Sequence, residues 1–164
     1  MEGNGRTAAQ AAAAQIISDY ALEVHPEGGC FREVYTSAAR TDAADGRQAG
    51  GSIYFLLQPG AVSHYHQIDC EEIWYYHEGA GLKVYLISPQ GEVSVQKLGL
   101  DFAAGERPMV VIPQGTVFAA ENIRADGYTF VSCATFPKFR YSGFRLVPYA
   151  ELECYGVERR LCHE

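Results

Sequence analysis

The chain has no basic stripe. Its 13 lysines and arginines are scattered among 20 aspartates and glutamates, Arg159-Arg160 is their only adjacent pair, and the formal net charge is −7. Neutralising phosphates takes clustered cations, so the composition argues against a nucleic acid partner. No stretch approaches the roughly 18 uninterrupted apolar residues of a membrane helix. The alanine-rich segment 8–17 contains Gln10 and Gln15 and follows a stretch whose one basic residue is Arg6, a poor match to a signal peptide. There is no C-x-x-C pair. Cys30, Cys70, Cys133, Cys154 and Cys162 make an odd count that suits a reduced compartment better than a disulfide framework. A cytoplasmic protein with mostly buried thiols is expected, and Cys70, beside acidic residues, is the thiol of most interest. Repeats of solenoid period are absent as well.

What is present is one domain of ordinary composition, 48% hydrophobic and 20% charged over 164 residues, which excludes disorder and fibrous classes. Thr7 can cap a helix over about 8–20, with Ala13, Ile16, Ile17 and Tyr20 on one face. From residue 30 the chain reads as all-β, with short runs of Val, Ile, Tyr and Phe broken by Gly, Pro, Asn and Asp. Strands are expected at 30–36, 51–57, 61–66, 72–77, 82–88, 92–98, 108–112, 116–121, 128–135 and 141–147. About ten strands in one domain imply a sandwich or barrel. Residues 37–51 read as a mobile loop, and Pro148 can open a short helix in a tail over 148–164. The runs 52–57 and 109–112 are apolar on both faces, so their outer side is expected to be covered by another sheet or another subunit. A homodimer is the corresponding expectation.

The pattern Gly60-x3-His64-x-His66-x5-Glu72-x6-Gly79 carries the chemistry. Side chains two apart on a strand point the same way, so His64 and His66 project together. Five residues suffice to turn the chain and lay Glu72 on a strand antiparallel to theirs. Two imidazoles and a carboxylate with open positions suit a divalent metal such as Fe, Mn, Ni or Zn.

A second stretch reads Gly105-x7-Pro113-x-Gly115-x2-Phe118-x3-Asn122. The two stretches resemble the paired motifs of the cupin superfamily, whose second motif places a histidine where Phe118 stands here. His25-Pro-Glu-Gly-Gly29, Phe31-x-Glu33-x-Tyr35, residues 52–57, Ser63-x-x-His66, Glu71-Glu-x-Trp74, Pro113-x-Gly115 and Pro137-x-Phe139 are similar to a small single-domain cupin subfamily of unknown function. The resemblance implies a double-stranded β-helix, or jelly-roll, barrel over roughly 22–147, commonly dimeric, with its ligand pocket inside. His64 adds to that subfamily's pattern, while Gln67, Glu71 and Lys138 replace its arginine, aspartate and glycine.

On such a barrel Glu72, Trp74 and Tyr76 share an inward face with His64 and His66, while His77 points out. Phe118 cannot coordinate a cation, so at most His64, His66 and Glu72 hold a metal. Without metal, the same pocket suits acid–base chemistry, with His66 as general base or acid, Glu72 orienting it, and Tyr54 or Tyr76 as the opposing proton donor. Deoxysugar-nucleotide epimerases, which the architecture resembles, use a histidine base and a tyrosine acid. That comparison implies epimerisation, isomerisation or dehydration of a sugar-like or carbonyl metabolite, yet a nucleotide would need arginines, and the candidates are Arg32, Arg107, Arg140 and Arg145. Glu33, between Phe31 and Tyr35, is expected to face the cavity with Trp74, His25 and Phe118 as substrate-binding residues. Glu27 is either solvated or rims the pocket with His25. A non-catalytic module that captures a metabolite is the competing class.

Overall fold

Alternation sorts the strands between two facing sheets. The computed structural model describes residues 7–163; residues 1–6 and Glu164, part of the expected domain, lie outside the described residues. In chain order it contains α1 (Ala8–Tyr20), β1 (Glu23–Val24), β2 (Cys30–Thr36), β3 (Gly51–Leu57), β4 (Val62–Ile68), β5 (Glu71–Gly79), β6 (Leu82–Ile87), β7 (Val93–Leu98), β8 (Glu106–Arg107), β9 (Met109–Ile112), β10 (Val117–Asn122), β11 (Thr129–Phe136), β12 (Phe144–Leu146) and α2 (Tyr149–Leu152). One sheet has the order β1-β2-β3-β11-β5-β9 and the other β12-β4-β10-β6-β7-β8. Neighbours are antiparallel except the short β7–β8 contact. This is the expected all-β jelly-roll barrel with a short N-terminal helix.

The inward residues Phe55, Leu57, Trp74, Val84, Val110, Ile112, Phe118 and Val131 fill the space between the sheets. The outward residues of β3 and β11 meet a different cover. Thr7 and Gln10 form a reciprocal capping box that starts α1. The helix lays Ala13, Ile16 and Ile17 over Leu56 and Phe130. The chain's own helix therefore covers the outer face of 52–57, where another sheet or subunit was expected. On the opposite side, Val147 and, from the tail, Leu152, Leu161 and Cys162 cover Tyr65, Ile87 and Ala119. Met109 and Val111 remain exposed.

Two expectations about the histidine strand fail. β4 and β5 are not a hydrogen-bonded pair, because the chain crosses from one sheet to the other at Asp69-Cys70, and the two strands face each other across the barrel. The alternation along β4 is also interrupted: Phe118 pairs with His66 but Ala120 pairs with Ser63, so His64 and Tyr65 stand opposite the single residue Ala119. This β-bulge turns Ser63 and His66 to the same inner side. The region 141–147 is a 3-10 turn at Tyr141–Gly143 followed by β12. Loop 37–51 is fastened down, with Arg47 bonded to Asp69 at 2.8 Å and the Lys138 amide donating to the Gln48 carbonyl at 3.0 Å. No helix among the described residues is long and apolar enough to cross a membrane.

Candidate active site

A cavity of about 100 Å³ opens at the β2–β3 end of the barrel. Glu27, His66, Glu72, Cys133 and Thr135 give it polar groups, Phe31, Phe55, Phe139 and Tyr141 an aromatic wall, and Glu33 and Lys138 a charged mouth.

His66 is 2% exposed, and both of its ring nitrogens face oxygen. Nδ1 donates to the His64 carbonyl at 2.7 Å and Nε2 lies 3.0 Å from Glu27 Oε2. Two acceptors call for two N–H groups, which is the imidazolium form. Burial by itself opposes that charge, but the Glu27 carboxylate outweighs it and raises the His66 pKa above its usual value. Burial likewise opposes the charge on Glu27, and His66 and the Ser63 hydroxyl, which donates at 2.9 Å, together hold its pKa below the usual carboxylate range.

Glu27 reaches this position because its loop is pulled tightly onto β4. The Glu27 carbonyl accepts from the His64 amide at 2.7 Å and from His64 Nδ1 at 2.8 Å. Gly28, at φ +107°, sits where a Cβ would stand 2.1 Å from the Val62 carbonyl oxygen, so the approach requires glycine. His25 is boxed by Phe31, Phe55, Phe139, Tyr141 and Phe144, with the nearest centroid, that of Phe31, at 4.7 Å. Its Nδ1 accepts from the Glu27 amide at 3.2 Å, and burial lowers its pKa. A neutral ring bonded in this way carries its proton on Nε2.

Glu72 is the third member. Burial and the neighbouring Glu27 carboxylate raise its pKa to about 8, against opposing contributions from His66, Trp74 and Cys133. The Trp74 indole N–H lies near enough to favour the Glu72 carboxylate yet makes no hydrogen bond of ordinary geometry. At neutral pH Glu72 is mainly a neutral acid.

The cavity brings together His66, Glu72, His25 and Glu33 of the expected residues and leaves others out. His64, turned by the bulge, has its Nδ1 tied to the Glu27 carbonyl and its ring 5.6 Å from that of His163. The two-histidine, one-carboxylate metal site at His64, His66 and Glu72 is therefore not assembled. No group of three or more His, Cys, Asp or Glu among the described residues is placed to hold a metal ion. Trp74 and Phe118 point inward but belong to the packed core: Phe118 backs the His66 ring at 4.1 Å, and Trp74 packs on Phe55 at 5.6 Å. Tyr54 faces outward against Tyr20 and Phe130 under α1, because its neighbours Ile53 and Phe55 take the inner face. Tyr76 packs beside the core with its hydroxyl bonded to the Gly79 carbonyl. His77 points outward to Ser132, as expected. Cys70 is a core thiol that burial pushes up to about 12.

Four contributors were missed: Glu27 as a buried partner, Ser63, Lys138 and Tyr141. Glu27 had a signal, a carboxylate followed at once by two glycines, both of which adopt positive φ. Tyr141 lies on a turn that sequence periodicity does not reveal.

The comparisons with known proteins agree with this architecture. A solved structure of a protein from Shewanella oneidensis is 39% identical with a TM-score of 0.84, covering 92% of this chain and 97% of that one. A hypothetical protein from Leishmania major is 30% identical with a TM-score of 0.82, covering 93% and 99%. An uncharacterized protein of Saccharomyces cerevisiae is 29% identical over an alignment 143 positions long that covers 77% of this chain and 71% of the yeast protein. Residues 14–147 match the family model described as Cupin superfamily (DUF985), so the chain belongs to this small single-domain cupin family of unknown function.

Proposed function

We propose that the protein is an enzyme that moves a proton on a small carbonyl or sugar-like metabolite inside the barrel, in an epimerisation, isomerisation or dehydration. The observation that carries this reading is a buried carboxyl, Glu72, holding its proton to about pH 8 in the same cavity as an imidazolium fixed by Glu27. The ionised fraction of Glu72, a stronger base than an ordinary carboxylate, takes the proton from the carbon next to the carbonyl, and the neutral acid so formed returns a proton to carbon. His66 supplies a fixed positive charge for a developing enolate. Its own protons are engaged, while His25, Tyr141 and Lys138, which also line the cavity, carry other hydrogen-bond donors for a substrate oxygen.

Size and charge favour a small substrate. The enclosed space is smaller than the ~150 Å³ apolar cavity that accepts benzene, so roughly three to six heavy atoms fit. The four arginines considered for a nucleotide are used elsewhere. Arg32 bonds the Ala21 carbonyl, Arg107 the Glu106 carbonyl, Arg140 Asp69 and Asp45, and Arg145 Gln67 and Glu151.

The test is solvent exchange. A panel of oxo and hydroxy-carbonyl compounds of about three to six heavy atoms is incubated with the protein in D2O and followed by proton NMR. At least one member should lose a C–H signal at the carbon next to its carbonyl, and Glu72→Gln should slow this at least a hundredfold. Full activity in Glu72→Gln, or no exchange across the panel, would refute the reading.

A further inference from the structure

We propose that the metabolite is a short oxo- or hydroxy-carboxylate and that Lys138, at the cavity mouth, is the residue that takes its carboxylate. The inference rests on the preceding reading only for the location of the ligand. Lys138 is the one lysine or arginine among the described residues lining the cavity. Its stem crosses Gly51 of β3, where a Cβ would meet Lys138 Cγ at 3.0 Å. A bare backbone at that point leaves room for the lysine to lie across the strand and reach the opening.

The ammonium group is held but not saturated. Nζ lies 2.9 Å from Glu33 Oε1 and 2.7 Å from Thr36 Oγ1, while the Thr36 hydroxyl donates to the same Glu33 oxygen at 2.8 Å. An ammonium has three protons, and these contacts use two. Glu33 is half-exposed, 53% at its side chain, so the pair is a weak surface ion pair and Glu33 can turn to water when another carboxylate arrives. The remaining lining acids do not compete for the lysine. Glu27 is already matched by His66, and Glu72 is the neutral acid described above.

Between mouth and floor the wall is apolar, made by Phe31, Ile53, Phe139 and the ring of Tyr141. The ligand that matches all three zones has a carboxylate at Lys138, a short hydrocarbon body along the aromatic wall, and a carbonyl or hydroxyl carbon next to Glu72. With the carboxylate held at the mouth, three to six heavy atoms inside correspond to an acid of about three to six carbons.

Titration calorimetry with pyruvate, 2-oxobutyrate, acetoacetate and 4-oxopentanoate, each against its methyl ester, tests the assignment. At least one acid should bind the wild-type protein at least tenfold more tightly than its ester. Lys138→Met should weaken that acid by about tenfold to a hundredfold, the range of a charge-assisted contact, and leave the ester unchanged. Glu33→Gln, by removing the internal competitor, should tighten it. Lys138→Arg should restore part of the affinity, which separates loss of charge from a folding defect. The proposal is overturned if none of the four acids binds, if acids and esters bind alike, or if Lys138→Met keeps the affinity. Deuterium exchange distinguishes the two readings. Acids that bind through Lys138 without exchange defeat the proton-transfer function alone, and exchange into neutral carbonyl compounds with no acid bound defeats the carboxylate assignment alone.

Discussion

Glu27, His66 and Glu72 set one another's protons, and stability should record it. An unfolded Glu72 carboxyl ionises near its ordinary 4.5, whereas in the folded chain it holds its proton to about 8. Between those values the folded state binds the extra proton, so this group makes the protein less stable as pH rises through the interval and contributes no further slope above it. His66, raised in the folded state, acts in the same direction from its ordinary 6.5 upward, and Glu27, held low, withdraws stability only in acid. Urea unfolding measured from pH 5 to pH 8.5 should show stability falling by a few kcal/mol, and Glu72→Gln should flatten most of that fall. A slope unchanged in Glu72→Gln would show that its pKa is not raised. At this scale motif spacing marks His66 and Glu72, the cost of a carboxylate between two aromatics marks Glu33, and His25 is readable only as a candidate for the pocket rim. The sequence misassigned the partner of His66. The pairing of Glu27 with a histidine 39 residues later is a tertiary event, and strand periodicity carries no mark of it.

At the scale of elements, one loop and one bulge form the site together. The loop 25–29 is pressed onto β4 so closely that Gly28 has no room for a methyl group, and its positive φ adds strain to any other residue. Gly28→Ala should therefore cost about 2 to 4 kcal/mol in chemical denaturation and lower the His66 pKa followed by NMR, as Glu27 is pushed away. Gly60→Ala is the control. Gly60 also has positive φ, at +74°, but nothing lies within 4 Å of its absent Cβ, and the cost should be only about 1 kcal/mol. Equal losses would mean that the close approach is unimportant. Strand existence was readable for most elements, because β2, β3, β9 and β11 alternate or run apolar between glycines and prolines. The bulge was not readable. It changes which of His64, Tyr65 and His66 face inward without altering composition, and the stabilising contact for its outward residue, Tyr65, comes from the tail. The two-residue strands β1 and β8 are likewise too short to show a period.

For the whole molecule, the barrel is closed on its two outer faces by segments from opposite ends of the described chain. Helix α1 covers Leu56 and Phe130, and the tail beyond Val147 covers Tyr65, Ile87 and Ala119. The family match ends at residue 147, yet Leu152, Leu161 and Cys162 are each no more than 4% exposed, and Arg160 pairs with Glu121 of β10 at 2.6 Å. Tyr65 sits directly behind the bulge that turns His66 inward, so the tail supports the site from outside without touching it. Ending the chain at Val147 removes two buried leucines, each contributing about 1.5 to 3 kcal/mol, and uncovers a tyrosine and an isoleucine. A loss of about 4 kcal/mol is a large share of the 5 to 15 kcal/mol typical of a domain and should lower Tm by roughly 10 °C. Arg160 is half-exposed while its two-point partner Glu121 is mostly covered, so the pair contributes about 1 kcal/mol and Arg160→Ala should shift Tm by no more than about 4 °C. Differential scanning calorimetry of the two variants separates the contributions. A truncated protein that melts with the full chain would mean the tail is not part of the folded unit, whereas a large shift confined to the truncation would place apolar cover, and not charge, behind the histidine strand.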